Sequence, residues 1–377
     1  MTDDEFSSLG GYVRAQRRTL AGQMAALTRI YLDTNYWLFV RDAYAGRPRN
    51  DTHRLLYEKL LHLVRSGRAV CPATDTVLYE VFRQNELDTR LMTAKIIDEL
   101  SMGIALEPAE QRVRIEILHF LRLCRQSADT LCTLSDWVWT RSCWVLGEMH
   151  PYLPQLQPKD QARLPIGFFE ERAKRGIADI VSSLASAPEP VPKTFLGDLA
   201  RKLTEDKTRH ADEIRSFKQA FMMEVSGELD VYRNDIAGGL AHISDSEAVT
   251  PAEVEAEIEV IRELFRSDKI GVSLPFFNTQ AGLHALFRWN RSQRLKPNDV
   301  LDYCHAGAAL PYFDVFLTER VLASTITSPA LSYDALYDSR VCSDAAEALD
   351  ILETICNDPE DDTWGKGVRR TELRDLF

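Results

Sequence analysis

A three-layer α/β/α architecture, with a central, mostly parallel sheet and a large all-helical insertion, is predicted by two features of the sequence. Short apolar runs rich in β-formers alternate with amphipathic periodicities near both ends of the chain, as in a parallel sheet buried on both faces. Between these ends lies a long stretch with helical periodicity and few strand-like runs.

The elements follow in order. Residues 12–27 carry Tyr12, Val13, Leu20, Met24 and Leu27 at helical spacing, giving an N-terminal helix within 1–27. Arg29-Ile-Tyr-Leu-Asp-Thr-Asn35 is a buried strand that ends in a polar turn, with a helix from about Tyr36. His53–Ser66 is a helix closed by Gly67, and Arg68-Ala-Val-Cys71 is a second strand. Pro72 and Thr74 lead into a helix holding Val77, Leu78, Val81 and Phe82, which belongs to a first α/β part over 28–100. The insertion spans 101–284, with helices expected at Val113–Leu123, Leu131–Leu146, Phe195–Leu203, Ile214–Val225 and Val254–Phe265. Proline-rich breaks at Pro151-Tyr-Leu-Pro154 and Pro188-Glu-Pro-Val-Pro192 interrupt it. The second α/β part, 285–356, contains a helix at Asp299–Leu310 and a strand at Asp314-Val-Phe-Leu-Thr318. It continues with a helix at 319–325, an edge strand at Asp338–Cys342 and a closing helix at Ala345–Ile355. The last residues, 357–377, are an acidic, then mixed, tail.

Composition narrows the function classes. With 377 residues, 45% hydrophobic and 27% charged, the chain is of globular type. No stretch approaches the ~20 apolar residues of a membrane helix. The start, with Asp3, Asp4 and Glu5, has the wrong charge for a secretory signal, so a cytoplasmic location without membrane attachment is expected. Seven scattered cysteines with no C-x-x-C spacing argue for reduced thiols and against a zinc knuckle. A net charge of −12 disfavours broad nucleic-acid binding, so any such role needs a local basic strip.

Carboxylates are the residues that carry chemistry. Asp33 ends an apolar strand, where open α/β sheets place their ligands. A buried, unpaired carboxylate costs several kcal/mol unless something compensates it. Asp-Thr-Asn is equally good helix-capping chemistry, so Asp33 fits either role. Glu80 lies on the helix after the second strand, near the same edge, although taken singly it is also an ordinary surface glutamate. Asp299 and Asp302 share a helix face, with His305 one turn on; repulsion there is relieved by a cation or by the helix dipole. His305 is read as a supporting or structural residue. Thr318 and Glu319 leave the third strand at that edge, whereas Asp314 starts the strand and belongs at the other end. Converging carboxylates raise one another's pKa unless a hard divalent ion neutralises them, and oxygen-only ligation suits Mg²⁺ or Mn²⁺. Arg288, Trp289, Arg291, Arg294 and Lys296 run into Asp299 and supply the local basic strip, unless they are simply a solvated loop face.

In order and strand-exit placement, these segments resemble the PIN-domain nucleases. Ile30-Tyr-Leu-Asp-Thr-Asn35 is similar to the family's opening strand with its first acid, and Glu80 matches the second. Asp302 matches the third acid, with Asp299 as helper or rival, and Glu319 stands where the family usually has a fourth, an Asp. The resemblance covers roughly 28–100 and 285–355 and implies a PIN-like fold and a metal-dependent endoribonuclease. By that resemblance, Asp33 and Asp302 hold Mg²⁺ or Mn²⁺, with Asp299 and Glu80 as further ligands or water-orienting groups. Thr34 or Thr318 contacts the scissile phosphate or the water, RNA or single-stranded DNA is the substrate, and products end in 5′-phosphate and 3′-hydroxyl. A phosphatase of the haloacid-dehalogenase class wants an Asp two residues after Asp33, where Asn35 stands. The other alternative is a catalytically weak or inactive PIN-like scaffold whose helical insertion binds RNA, a protein partner or a second copy.

Overall fold

The computed structural model describes residues 9–125, 133–148, 166–185, 194–244 and 249–357. Helix α1 (Leu9–Met24) leads into β1 (Thr28–Leu32), which feeds α2 (Thr34–Tyr44) and α3 (Asp51–Arg65) before β2 (Ala69–Val70). Asn50 starts α3 by accepting from the His53 N–H through Oδ1 at 2.8 Å. Gly67, at φ +69, takes the left-handed position that ends this helix and turns the chain into β2. Helices α4 (Asp75–Phe82) and α5 (Leu87–Ser101) follow, then β3 (Ile104–Leu106), α6 (Ala109–Arg125) and β4 (Trp139–Arg141). After a series of helices, Pro297–Ala309 precedes β5 (Val315–Leu317), and β6 (Arg340–Cys342) leads to the helix Ala345–Asn357.

The main sheet has the order β2-β1-β5-β6 and is parallel throughout. Ile30, Tyr31 and Leu32 of β1 and Val315, Phe316 and Leu317 of β5 are all buried. Successive strand residues point to opposite faces, so both faces are covered. This class of fold, a small parallel sheet within a mostly helical chain, matches the α/β expectation.

The helices of the middle build a second apolar cluster from Val113, Ile117, Val225, Ile258, Phe265 and Phe277, distinct from the sheet core. Helix Pro275–Trp289 is wall to both: Leu283 and Phe287 face the sheet core, while Phe277, Ala281 and Ala285 face the helical one. It packs tightly on Pro297–Ala309 at Gly307, where a Cβ would come within 2.5 Å of Gln280 Nε2. That amide donates to the Tyr303 carbonyl at 2.8 Å.

Two expectations need correction. The segment 101–284 is not all helical, because β3 and β4 form an antiparallel pair within it, bridged to the main sheet region at Ala73–Ala105. The helix predicted over Leu131–Leu146 is instead a 3₁₀ turn (Leu134–Asp136), β4 and another 3₁₀ turn (Ser142–Trp144) over its described residues. Val138, Trp139 and Thr140 are β-branched or aromatic and pair better with Ile104–Leu106 than they coil. Conversely, helix Pro275–Trp289 has no counterpart among the expected elements. Eleven of its fifteen residues are buried, so it carries no amphipathic period to read. The proline-rich breaks at 151–154 and 188–192, Cys132, and the tail beyond Asn357 lie outside the described residues. Among the described residues the six cysteines are free thiols, and no helix is long and apolar enough to cross a membrane.

Candidate active site

From β1 the chain crosses to β2 on one side, and from β5 it crosses to β6 on the other. The crevice between the carboxyl ends of β1 and β5 is therefore the topological switch point, the usual ligand position in open parallel sheets. Leu32 pairs with Leu317, and the Asp33 N–H donates to the Leu317 carbonyl at 3.0 Å, which puts Asp33 beside Thr318 at that crevice. Asp33 is 4% exposed. It also caps α2, Oδ1 accepting from the Tyr36 N–H at 3.2 Å, so both roles expected of it coincide. Burial pushes its carboxyl up to about 6, against the opposing pull of His305, the Tyr36 N–H and the Thr318 hydroxyl. Thr318 is fully buried, and its Oγ approaches Asp33 without closing a hydrogen bond of good geometry to any group.

Glu80 reaches the same rim from α4. Its Oε2 accepts from the Thr34 hydroxyl and from His305 Nε2 at 2.8 Å. His305 Nδ1 meets the Tyr31 hydroxyl at 2.6 Å, and Tyr31 in turn meets Thr74 Oγ1 at 3.3 Å. Desolvation works against a charged His305. The hydrogen bond and charge of Glu80, aided by Asp33 and Asp302, outweigh it and hold the imidazole above its ordinary value. Burial likewise works against the Glu80 charge, but His305 and Thr34 bring that carboxyl below its usual range. A run of hydrogen-bonding groups, Thr34–Glu80–His305–Tyr31–Thr74, thus fixes Glu80 from behind. His305 has a larger part than a general supporting residue, and its direct partner lies 225 positions away, which no local pattern reveals.

Asp302 is shifted further than Asp33. Burial first, then the charges of Glu319, Asp299 and Asp33, push its carboxyl up to about 7, with His305 opposing. Asp299 is otherwise engaged: its Oδ2 accepts from the Lys296 N–H at 2.7 Å at the start of its own helix. This favours Asp302 over Asp299 as the acid facing the crevice. Asp314 lies at the far end of the sheet, bound by Arg29 through two guanidinium contacts of 3.0 and 2.6 Å and by its backbone N–H at 2.7 Å.

Among the described residues, no three His, Cys, Asp or Glu side chains are grouped tightly enough to hold a metal on their own. Mg²⁺ commonly takes only one or two carboxylates and completes its shell with water and substrate phosphate oxygens. Asp33 and Asp302 suit that mode: both are oxygen donors, both are held above their normal pKa, and neither forms an ion pair with Lys or Arg among the described residues.

The predicted basic strip is only partly available. Arg288 is spent inside the protein on Glu224 and on Asp206 at 2.9 Å. Arg291 donates to the Ala211 carbonyl, and Lys207 pins the loop through the carbonyls of Asn290 and Gln293, both at 2.6 Å. Trp289, Arg294 and Lys296 remain exposed. Comparisons with protein-family models, curated proteins and solved structures find no match to this chain.

Proposed function

We propose that the chain is a PIN-like, metal-dependent endonuclease acting on RNA. The observation that carries this reading is that Asp33, at the switch point, and Asp302 are both held above the ordinary carboxylate range, chiefly by burial. The Asp302 carboxyl feels the charges of Glu319 and Asp33, and Glu80 is tied in beside them through Thr34 and His305. Asp33 and Asp302 would hold Mg²⁺ or Mn²⁺. A hard divalent cation supplies Lewis-acid activation of the attacking water and offsets the charge that builds on the leaving oxygen. Glu80, locked by Thr34 and His305, orients that water. The exposed Trp289, Arg294 and Lys296 hold the strand before it reaches the acids.

The test is incubation of the purified protein with mixed RNA and single-stranded DNA, in Mn²⁺ or in EDTA. RNA should be cut only with Mn²⁺, leaving 5′-phosphate and 3′-hydroxyl ends. Asp33→Asn and Asp302→Asn should each lower the rate by at least about 100-fold with the fold retained, the order expected when a transition-state stabilising group is removed. Wild-type rates in both variants reject the assignment. The second reading, an inactive scaffold, is favoured by one observation: Glu80 is already satisfied by His305 and Thr34. A scaffold would show no Mn²⁺-dependent rise in melting temperature, whereas a competent site would show one that Asp33→Asn removes.

A further inference from the structure

Beside the acids, beyond the ends of β1, β5 and β6, opens a cleft of about 460 Å³ bounded by Asn35, Phe39, Asn50, His53, Thr318 and Arg320. This volume is within the ~300–1,000 Å³ of small-molecule sites. Its lining mixes aromatic and polar groups. The Phe39 and His53 rings stack in parallel, 4.0 Å apart at 14°, and the Arg49 guanidinium lies over the Phe39 ring, 5.0 Å from its centroid, so His53 is the ring left to meet a ligand. Asn35, one turn before Phe39 on α2, and Arg320 are exposed, and Arg320 forms no ion pair among the described residues. Thr318 forms part of the boundary, completely buried, its hydroxyl beside Asp33 without a hydrogen bond of good geometry.

Glu319 and Asp344 also border the cleft. Asp344 is committed to its own helix, its Oδ1 accepting from the N–H groups of Ala346 and Glu347 at 2.9 and 3.1 Å. Glu319 couples to Asp302 and so belongs to the rim shared with the acids. An aromatic ring, a guanidinium with no ion pair among the described residues and continuity with the carboxylates fit a ligand that is part flat ring and part anion.

We propose that this cleft is a nucleotide subsite. It takes the nucleotide next to the phosphodiester held at the acids, with the base against His53 and its phosphate toward Arg320. The proposal rests on the nuclease reading for its position in the reaction, but its binding chemistry is testable without cleavage.

The full chain in EDTA is titrated with adenosine 5′-monophosphate, adenosine and inorganic phosphate. The monophosphate should bind more tightly than either fragment. Arg320→Ala should weaken it about tenfold while leaving adenosine unaffected, and His53→Leu should weaken both by about tenfold, the scale of one lost base–aromatic stack. Asp33→Asn should still bind it. In a Mn²⁺ cleavage assay on an oligoribonucleotide, Arg320→Ala should raise KM about tenfold with kcat kept. Arg320 is exposed, so this variant keeps the test open if His53→Leu folds poorly. Mononucleotide binding with no cleavage by the wild type would uphold the subsite and sink the nuclease reading. Mn²⁺-dependent cleavage with an unchanged KM in Arg320→Ala would overturn the subsite alone. So would monophosphate affinity that neither substitution moves.

Discussion

Asp33 and Asp314 flank the same two strands at opposite edges of one sheet, and both are almost wholly buried, at 4% and 6% exposure. Asp314 is matched within the protein by the Arg29 guanidinium and backbone N–H. Asp33 has one backbone N–H and the nearby His305 charge, and it is left with a raised pKa. Two residues of one type, at similar depth, therefore do different work. The amino edge is neutralised from inside, so it can only hold the fold together. The carboxyl end has no matching Lys or Arg among the described residues, and its acid answers to the solution by holding its proton to higher pH.

The largest expected effect comes from disturbing the settled edge. Asp314→Asn leaves Arg29 buried without a counter-charge and should cost about 3–5 kcal/mol in urea unfolding, while the paired change Arg29→Met with Asp314→Leu should recover most of that loss. Asp33→Asn should cost nothing, or stabilise, in EDTA at pH 7.5. Equal destabilisation at both aspartates would erase the contrast.

A middle-sized effect is the pH dependence. Asp33 and Asp302 have folded-state pKa values of about 6 and about 7, above their unfolded values near 4, so the folded state binds more protons in that window. Their contribution to stability is complete below about pH 4, falls as pH rises through 6 and 7, and then levels off. For Asp33 the loss is on the order of 3 kcal/mol. Urea midpoints taken in EDTA from pH 4.5 to 7.5 should decline more in the wild type than in Asp33→Asn. Parallel curves for the two proteins would mean that Asp33 titrates normally.

The smallest effect sharpens the picture behind Glu80. Tyr31→Phe removes the partner of His305 Nδ1 and should cost about 1–2 kcal/mol, with activity reduced rather than abolished. A loss of activity as complete as in Asp33→Asn would make Tyr31 part of the reacting set.

Much of this was legible in the sequence. β1 and β5 stood out because three consecutive apolar β-formers end in polar residues, and strand exits alone placed Asp33, Thr318 and Glu319 together and Asp314 apart. Asp302 and His305 were legible as one helix face. Their distinction from Asp299 was not, because that depends on a local bond to the Lys296 N–H. The His305–Glu80 contact joins segments too remote for spacing to reveal. The basic strip misled at Arg288, since its partners Asp206 and Glu224 come from helices whose packing no composition argument supplies. The β3–β4 pair was hidden by length, as three residues carry too little periodicity to outvote helical flanks.

Helix Pro275–Trp289 has a consequence for anyone who would trim this protein. Because its two sides serve different cores, a shortened version joining residue 100 directly to residue 285 would discard Leu283 and the Gln280 amide that grips the Tyr303 carbonyl. The segment bearing Asp302 would lose its neighbour, and newly wetted apolar surface would invite aggregation. The smallest stable unit that keeps the α/β part is therefore longer than its α/β pattern suggests, and a shortened version would have to keep that helix.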